Sequence, residues 1–197
     1  MPGPSKTPDH SPAGPHGAPA VVLRHATEAD LPAIVAIYNA AIATGQSTAD
    51  TQSQTVAGRL PWFRNHSHAS RPIWVAVVGT TVIGWLSLQS FQGRPGYRIT
   101  AEVSVYVARE SRRHGIATLL LRHAIAGSPA LGLRNLLALV FAHNAPSIAL
   151  FTSLGFRQMG HLPRVAVLNN QERDLIIFGL RLADTAAAPP PPGNLAR

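Results

Sequence analysis

The amino-acid sequence predicts an α/β fold in which one mixed sheet carries helices on both faces. The first observation is that short β-branched runs are separated by segments whose apolar residues recur at helical spacing. The second is the order of these segments, β-α-α-β-β-β-α-β-α-β-β. Such an order combines neighbouring strands, which pair antiparallel, with a strand–helix–strand crossover, which places two strands parallel.

Two signals define the elements in the first half of the chain. Apolar residues recur at helical spacing behind a cap at Thr27 or Asp30, and Gly79 with Thr80 separates two strands as a hairpin turn does. The predicted elements are a strand at 21–25, a helix from about 30, a weaker helix at 56–65, and strands at 73–78 and 81–88.

The second half opens with a strand in which Val103, Val105 and Val107 alternate with Ser104 and Tyr106. The elements that follow this strand are a helix at 115–126, a strand at 136–141, a helix at 146–154 that Gly155 terminates, and strands at 164–168 and 174–182.

Composition predicts one domain with two tails. The chain has 197 residues, and residues 21–183 are enough to bury a sizeable core. Residues 1–20 are rich in Pro, Gly, Ser and His, and residues 184–197 in Ala and Pro, so both tails are expected to be disordered. No secretory signal or membrane span is expected, and without cysteine there are no disulfides, so the cytoplasm is the expected location.

The charge balance indicates an anionic ligand. The net charge is +8, from 17 basic and 9 acidic residues. A nucleic-acid partner is one explanation, but the arginines are scattered singly except for Arg109, Arg112 and Arg113, with no basic helix face beside them. An anionic cofactor therefore explains the cluster better. His66 and His68 lack a nearby third ligand, so no metal site is expected.

The segment between Val107 and the helix at Gly115 is predicted to cradle a phosphate. A strand, a turn with glycine and a helix N-terminus bring free backbone N–H groups and the positive end of the helix dipole to one point. Gly115 and Ala117 leave room for close approach. An ATPase-type loop needs a lysine, but Lys6 in the tail is the sole lysine, and a dinucleotide loop needs more glycines.

The pattern Arg112-x-x-Gly115-x-Ala117 resembles the acyl-CoA loop of the GNAT superfamily of N-acetyltransferases. Three segments, at 42–45, 94–107 and 144–156, are similar to the phosphinothricin and methionine-sulfoximine N-acetyltransferase family, and the resemblance extends over roughly 21–182. It implies the GNAT fold, a mixed and mostly antiparallel sheet of about seven strands flanked by about four helices. It also implies acetyl-CoA as cosubstrate.

The resemblance assigns cofactor-binding residues in three places. Backbone groups of the strand at Val105, Tyr106 and Val107 would meet the pantetheine arm. Asn144 would hydrogen-bond the same arm, or cap the helix that it opens, or do both. The pyrophosphate would be held through main-chain N–H groups of Arg113, His114, Gly115, Ile116, Ala117 and Thr118.

Glu102 is the candidate general base. It is the one carboxylate between Asp50 and Glu110 and lies in a strand otherwise built of valines, where an acid is costly unless it is solvated, paired or functional. An amine must be neutral to attack, and a nearby carboxylate can take its proton. The family likeness indicates the same residue. The alternative is a structural ion pair of Glu102 with Arg94 or Arg98.

The acceptor side departs from the family pattern. Arg94 and Tyr97 match positions that surround the acceptor, although both could simply order a loop. Phe151 stands where relatives place a tyrosine or histidine that protonates the leaving thiolate, which leaves this role to solvent or Tyr106. Ala49 replaces an aromatic residue, and the segment 168–174 retains only Asp174 of the family motif.

Together these features predict an acetyl-CoA-dependent N-acetyltransferase that acts on the primary amine of a small amino-acid-like molecule. With no cysteine to carry the acetyl group, the amine would attack directly in a ternary complex. The alternatives are a catalytically weak acetyl-CoA-binding regulatory module, or an acetyltransferase for a protein N-terminus or another amine. By resemblance, a homodimer is expected, and no nucleic-acid or membrane partner.

Overall fold

The computed structural model describes residues 20–182. The predicted tails at 1–20 and 184–197 lie, apart from Ala20, outside the described residues. Helices and strands alternate along the chain as β1 Val21–His25, α1 Leu31–Ile42, α2 Val56–Arg64, β2 Ile73–Val78, β3 Thr81–Ser90, β4 Thr100–Val107, α3 Ile116–Gly127, β5 Asn135–Phe141, α4 Ala145–Ser153, β6 Arg157–Leu168 and β7 Gln171–Arg181.

The seven strands form one sheet in the order β1-β2-β3-β4-β5-β7-β6. Every neighbouring pair is antiparallel except β4 and β5, which are parallel because α3 carries the chain between them. The predicted mixed, mostly antiparallel sheet with four helices is therefore confirmed.

The parallel pair is short. Thr100, Ala101 and Glu102 of β4 pair with the first three residues of β5. Beyond Glu102, β4 continues to Val107 paired with β3, and β5 continues to Phe141 paired with β7. A wedge consequently opens between the two strands in the middle of the sheet.

Each face of the sheet is covered by a separate apolar cluster. On one face, α3 and α4 pack Leu120 and Phe151 against strand residues such as Leu86 and Val103. On the other face, α1 packs Ile34 and its neighbours against the β2 and β3 side chains that point the opposite way, among them Val75 and Trp85. This alternation follows from the two-residue repeat of a strand.

Gly84 on β3 allows α3 to lie close to the sheet. A Cβ atom at this position would meet Ile116 Cγ2 and the Tyr106 carbonyl oxygen, each at 3.1 Å. The absence of a side chain therefore fixes the height of the first turn of α3 above the end of β4. The predicted phosphate cradle lies at this junction.

The β6–β7 hairpin is longer than the sequence predicts. A strand is expected at 164–168, but β6 begins at Arg157. Its first half is not predicted because Gly160 and Pro163 obscure the strand pattern in the sequence. Two register shifts, between Gln158 and Gly160 and again before Ala166, accommodate these residues as bulges. The turn uses Asn169 and Asn170, both at positive φ (51° and 59°), as a two-residue hairpin turn requires.

The close contact at Gly84 gives a stability prediction. We expect Gly84→Ala to lower the free energy of unfolding by about 1–3 kcal/mol, because the new methyl group overpacks against a backbone oxygen that cannot move independently. Gly96→Ala is the matched control, since nothing lies within 4 Å of its Cβ position. Urea unfolding of both variants checks this, and equal midpoints would contradict the packing account.

Candidate active site

The loop between β4 and α3 has the geometry that the sequence predicts for a phosphate cradle, and the binding of a phosphate there stays a prediction. A 3-10 turn at Arg109–Ser111 is followed by Arg113 and Gly115, both in the left-handed region, with φ of 63° and 77°. Gly115 is the N-cap of α3, and no side chain among residues 20–182 caps this helix end. The first amide N–H groups of α3 consequently remain available for an anion.

A cavity of about 480 Å³ lies against this loop and the end of β4. Nothing lies within 4 Å of the Cβ position of Gly115, so a ligand can approach the backbone there. Arg112 also lines the cavity, whereas His114 faces a neighbouring depression with Arg109 and Glu110. The structure brings together on this cavity the predicted residues Val105, Tyr106, Val107, Arg113, Gly115, Ile116, Ala117, Thr118 and Asn144.

Asn144 is buried at the wall of this cavity and is committed to protein contacts. Its Oδ1 accepts a hydrogen bond from the Ser147 amide at 3.2 Å, which caps α4. Its Nδ2 donates to the Gln46 carbonyl oxygen at 3.0 Å and to Ser47 Oγ at 3.4 Å. Asn144 therefore caps α4, as one of the two sequence-based alternatives predicts, and a contact of Asn144 with the cofactor stays a prediction.

A second cavity, of about 410 Å³, lies on the α1 and α2 face of the sheet and contains Glu102. The carboxylate is half-buried, and within residues 20–182 it makes neither a hydrogen bond nor an ion pair. The alternative ion pair with Arg94 or Arg98 is therefore not formed. Burial raises the pKa of Glu102 above the ordinary range of a glutamate.

The strand register builds the floor of this second cavity. Three cross-strand pairs of β3 and β4 project from the same face, namely Trp85 with Tyr106, Ser87 with Ser104, and Gln89 with Glu102. Val103 and Val105, which alternate with them, point to the α3 side. Because side chains alternate along β4, the register that buries the valines on one face also places Glu102 in the cavity on the other face.

Tyr106 lines both cavities and so lies where they meet. Its ring stacks on Trp85 with 4.6 Å between centroids, and its hydroxyl donates to the Ser47 carbonyl oxygen at 3.3 Å. Burial raises the pKa of Tyr106 well above its ordinary value, so the phenol is protonated at neutral pH. A protonated side chain is thus present between the two cavities.

Phe151 faces the wedge but belongs to the core. It lines a small cavity between β4 and β5 together with Ser104 and Tyr106, is 4% exposed, and packs against Phe156 at 5.0 Å between ring centroids. Its ring carries no transferable proton.

Arg94 and Tyr97 are not brought together with Glu102. Both lie on the β3–β4 loop in a separate depression with Phe91 and Arg98. Tyr97 is 45% exposed and packs edge-on against Phe91. Within residues 20–182 of one chain they do not line the Glu102 cavity, and their role in acceptor binding stays a prediction.

Asp174, the retained residue of the altered segment, is also outside this cavity. Its carboxylate accepts from His161 Nε2 at 2.8 Å and from the Arg164 amide at 2.9 Å. These contacts hold the β6–β7 hairpin together. Asp174 therefore has a structural role in this chain.

Sequence reasoning missed the side chains that α1 and α2 contribute to the Glu102 cavity. Tyr38 shares a hydrogen bond of 2.6 Å with Thr48 Oγ1 and donates to Asp50 at 2.9 Å. Arg59 and Trp62 come from α2, a helix without a single buried residue. The sequence of α2 has no apolar stripe that would have fixed which side faces the sheet, so no local signal identified these residues.

No group of three or more His, Asp or Glu side chains within residues 20–182 is placed to hold a metal ion. In the same part of the chain, no helix has both the length and the apolar character needed to cross a membrane.

An uncapped helix N-terminus beside a wedge in the sheet, with an acid in an adjoining cavity, defines a site for an anionic cofactor and a second reactant. The model of the Acetyltransferase (GNAT) family matches residues 34–156. The chain belongs to the GNAT acetyltransferase family, which confirms the resemblance seen in the sequence.

Individual relatives are similar over nearly their whole lengths. The chain is 42% identical over 164 residues to "Putative phosphinothricin acetyltransferase YwnH" of Bacillus subtilis, covering 83% of this chain and 100% of the relative. It is 34% identical over 168 residues to L-methionine sulfoximine/L-methionine sulfone acetyltransferase of Pseudomonas aeruginosa, covering 85% and 98%. A phosphinothricin acetyltransferase structure from Sinorhizobium meliloti, in complex with AcCoA, superposes with a TM-score of 0.80 at 29% identity, covering 88% and 94%.

The cradle gives a binding prediction. We expect Gly115→Asp to weaken acetyl-CoA binding at least about tenfold, because a carboxylate would face the anion and a Cβ would occupy the approach to the backbone. Gly79→Asp is the control, since Gly79 has a similar φ of 59° and equal open space but lies in the β2–β3 turn. Calorimetric titration of both folded variants checks this, and unchanged affinity in the Gly115 variant would refute the loop assignment.

Proposed function

We propose that this chain transfers an acetyl group from acetyl-CoA to the primary amine of a small amino-acid-like molecule, of the phosphinothricin or methionine-sulfoximine type. The observation that carries the proposal is the half-buried, unpaired Glu102 in a cavity that adjoins the cofactor cradle at Tyr106. Relatives named for phosphinothricin and for L-methionine sulfoximine support the acceptor class. The cytoplasm remains the proposed location, since a chain without cysteine has no need of an oxidising compartment.

The residues present fit acetyl-CoA, which supplies the activated acetyl thioester. The uncapped N-terminus of α3 and the open space at Gly115 suit a pyrophosphate, with Arg112 and Arg113 adding positive charge at the same cavity. Beyond Glu102, the edge of β4 that faces β5 has no strand partner. Its backbone N–H and C=O groups can therefore pair with an extended amide-bearing arm, as a missing strand would.

In this proposal Glu102 removes the proton of the attacking amine. A raised pKa makes its carboxylate a stronger base than an exposed glutamate. The neutral amine then attacks directly within a ternary complex, because the chain has no cysteine that could carry the acetyl group.

The leaving thiolate needs a proton that Phe151 cannot give. Tyr106 lines both cavities and its raised pKa keeps the phenol protonated at neutral pH, so a proton is present where the two cavities meet. Solvent entering the wedge is the other donor. A Tyr106→Phe variant separates the two through the rate of thiol release.

A second candidate, a catalytically weak acetyl-CoA-binding module, is favoured by one observation. Phe151 is buried in the core, so the side chain at the wedge has no acid–base function. Such a module would bind acetyl-CoA and release almost no thiol with any acceptor. Thiol release measured with a panel of free amino acids, phosphinic analogues and peptide N-termini distinguishes the module, the amino-acid enzyme and an enzyme with another amine acceptor.

The base assignment gives a kinetic prediction. We expect Glu102→Gln to preserve acetyl-CoA affinity and to lower kcat at neutral pH by roughly 10²–10⁴-fold. Because the folded pKa of Glu102 is raised, the wild-type rate should fall as the pH drops through that raised pKa, and the variant should lack this limb. Raising the pH should restore part of the variant's rate, since more amine is then already neutral.

Glu28→Gln is the control for this experiment, because Glu28 lies in a surface ion pair with Arg64. Its kcat and pH profile should match the wild type. A folded Glu102→Gln enzyme with near-normal kcat on its best acceptor would refute the role of Glu102 as base.

We further propose a homodimer that uses the β6 edge of the sheet. This long edge strand exposes four large apolar side chains, Met159, Leu162, Val165 and Val167. An apolar sheet edge of this length is characteristic of a surface that pairs with another chain. Val165 and Ala166 also line the Glu102 cavity, so a partner at this edge would adjoin the acceptor.

Light scattering at micromolar protein should give twice the chain mass of 20.9 kDa. We expect Val167→Asp to shift the protein toward monomer, because a charge would be buried in the interface. Val22→Asp is the control, since Val22 is 56% exposed on β1 at the opposite edge. A monomeric wild type, or dissociation by the Val22 variant alone, would overturn this assignment.

A further inference from the structure

Arg59 is a cation fixed in the wall of the Glu102 cavity. Its guanidinium carbon lies 4.7 Å from the ring centroid of Tyr38 and 4.2 Å from that of Trp62. A guanidinium stacked on aromatic faces is oriented by them and keeps the N–H donors of its edge free. The side chain is thus held in place before any ligand arrives.

None of these donors is used by the part of the chain that the structure describes. Within residues 20–182, the Arg59 side chain makes no hydrogen bond and no ion pair. Arg64, five positions later in the sequence, contacts Glu28 at 2.8 and 3.3 Å, and Arg24 grips Asp30 with two bonds of 2.7 Å. Arg59 instead presents an unused five-donor fork to a cavity.

The same cavity contains further donors without partners. Trp62 Nε1, Trp85 Nε1 and Ser87 Oγ are buried and find no hydrogen-bond partner among residues 20–182. Trp85 is 1% exposed and Ser87 is fully buried. Buried polar groups are ordinarily hydrogen-bonded, so three unmet donors on residues of one cavity wall make that wall rich in donors and poor in acceptors. An oxygen-rich anion suits a wall with this surplus of donors.

The two carboxylates that line the cavity, Asp50 and Glu102, indicate which class of ligand fits it. Asp50 is already engaged, because it accepts from Tyr38 at 2.9 Å and from Gln54 at 3.3 Å. Glu102 is unpaired. The cavity therefore offers one free carboxylate and one free guanidinium, which together match a molecule that carries both an ammonium and a carboxylate group.

We propose that Arg59 binds the carboxylate of an α-amino-acid acceptor and thereby determines the substrate class of the site. This inference rests on the proposed acetyltransferase function and deepens it. Arg59 would act as a specificity residue and not as an acid or base, since it orients the molecule whose amine Glu102 deprotonates. An acceptor that lacks the carboxylate would lose this contact and leave the guanidinium unpaired.

The test compares L-methionine sulfone with its α-carboxamide, which keeps the amine and removes the negative charge. We expect the wild type to prefer the acid. Arg59→Met should lower kcat/KM for the acid about 10–100-fold, mainly through KM, and should change kcat/KM for the amide little, so that the preference disappears. Arg59→Lys, which keeps the charge and loses the fork, should give an intermediate preference and serves if the Met variant does not fold.

Two further variants make the test specific. Arg64→Met is the matched control on the same helix, because its ion pair with Glu28 lies on the surface, and it should leave the acid-to-amide ratio unchanged. Arg94→Met tests the competing assignment, in which Arg94 binds the carboxylate of the acceptor instead of Arg59. Loss of the preference in the Arg94 variant alone, or an equal loss on both substrates in the Arg59 variant, overturns the proposal.

Direct binding separates this inference from the function itself. Calorimetric titration of L-methionine sulfone into the CoA-saturated protein should show weaker binding to Arg59→Met than to wild type, whether or not acetyl transfer occurs. If the wild type binds the acid through Arg59 but releases no thiol, the proposed enzyme activity fails while the binding assignment stands. Equal affinity of wild type and Arg59→Met overturns the assignment.

Discussion

The short pairing between β4 and β5 is the constraint from which the rest of the site follows. The two strands share three residue pairs and then separate, yet each keeps a full partner on its other side. Around the site, the loss of backbone hydrogen bonds is therefore confined to the seam between β4 and β5. The unpaired edge of β4 then becomes a row of backbone donors and acceptors in the middle of the protein, where such groups require a partner. A bound cofactor arm can supply it, so the wedge is at once a structural cost and a binding surface.

The two-residue repeat of β4 places different chemistry on its two faces. The valines at 103, 105 and 107 join the α3 cluster, and Glu102, Ser104 and Tyr106 face the other side. A slip of one residue in the register of β4 with β3 would send the carboxylate into the apolar cluster and expose the valines. The packing of the valines therefore fixes the position of the candidate base, because the Glu102 carboxylate itself makes no hydrogen bond and no ion pair within residues 20–182.

The parts of the site that were predictable from sequence are those encoded locally. The cradle depends on a glycine at positive φ and an uncapped helix start within a few residues of each other, and the Asn144 cap is likewise a local pattern. Glu102 was identifiable because a lone acid among valines is conspicuous. Arg59 was not, because its position depends on how α2, which buries no residue of its own, lies against Tyr38 of α1. The start of β6 was missed for the related reason that its bulges interrupt the alternation.

A phenylalanine at position 151 suits the packing around the wedge. Phe151 closes an aromatic group with Phe156 and Phe178 beneath the splayed strands, where a hydroxyl or imidazole would need a polar partner. On the opposite face of the sheet, the Tyr106 hydroxyl has such a polar partner. Its ring is stacked on Trp85, and its hydroxyl donates to the Ser47 carbonyl oxygen. The apolar core thus gains a ring at the wedge, and in the proposed mechanism the Tyr106 phenol, which touches both cavities, is the candidate polar group. If Tyr106 and not solvent is the donor, removing its hydroxyl slows thiol release without loosening the core to which Phe151 belongs, because the two side chains lie on opposite faces of the sheet.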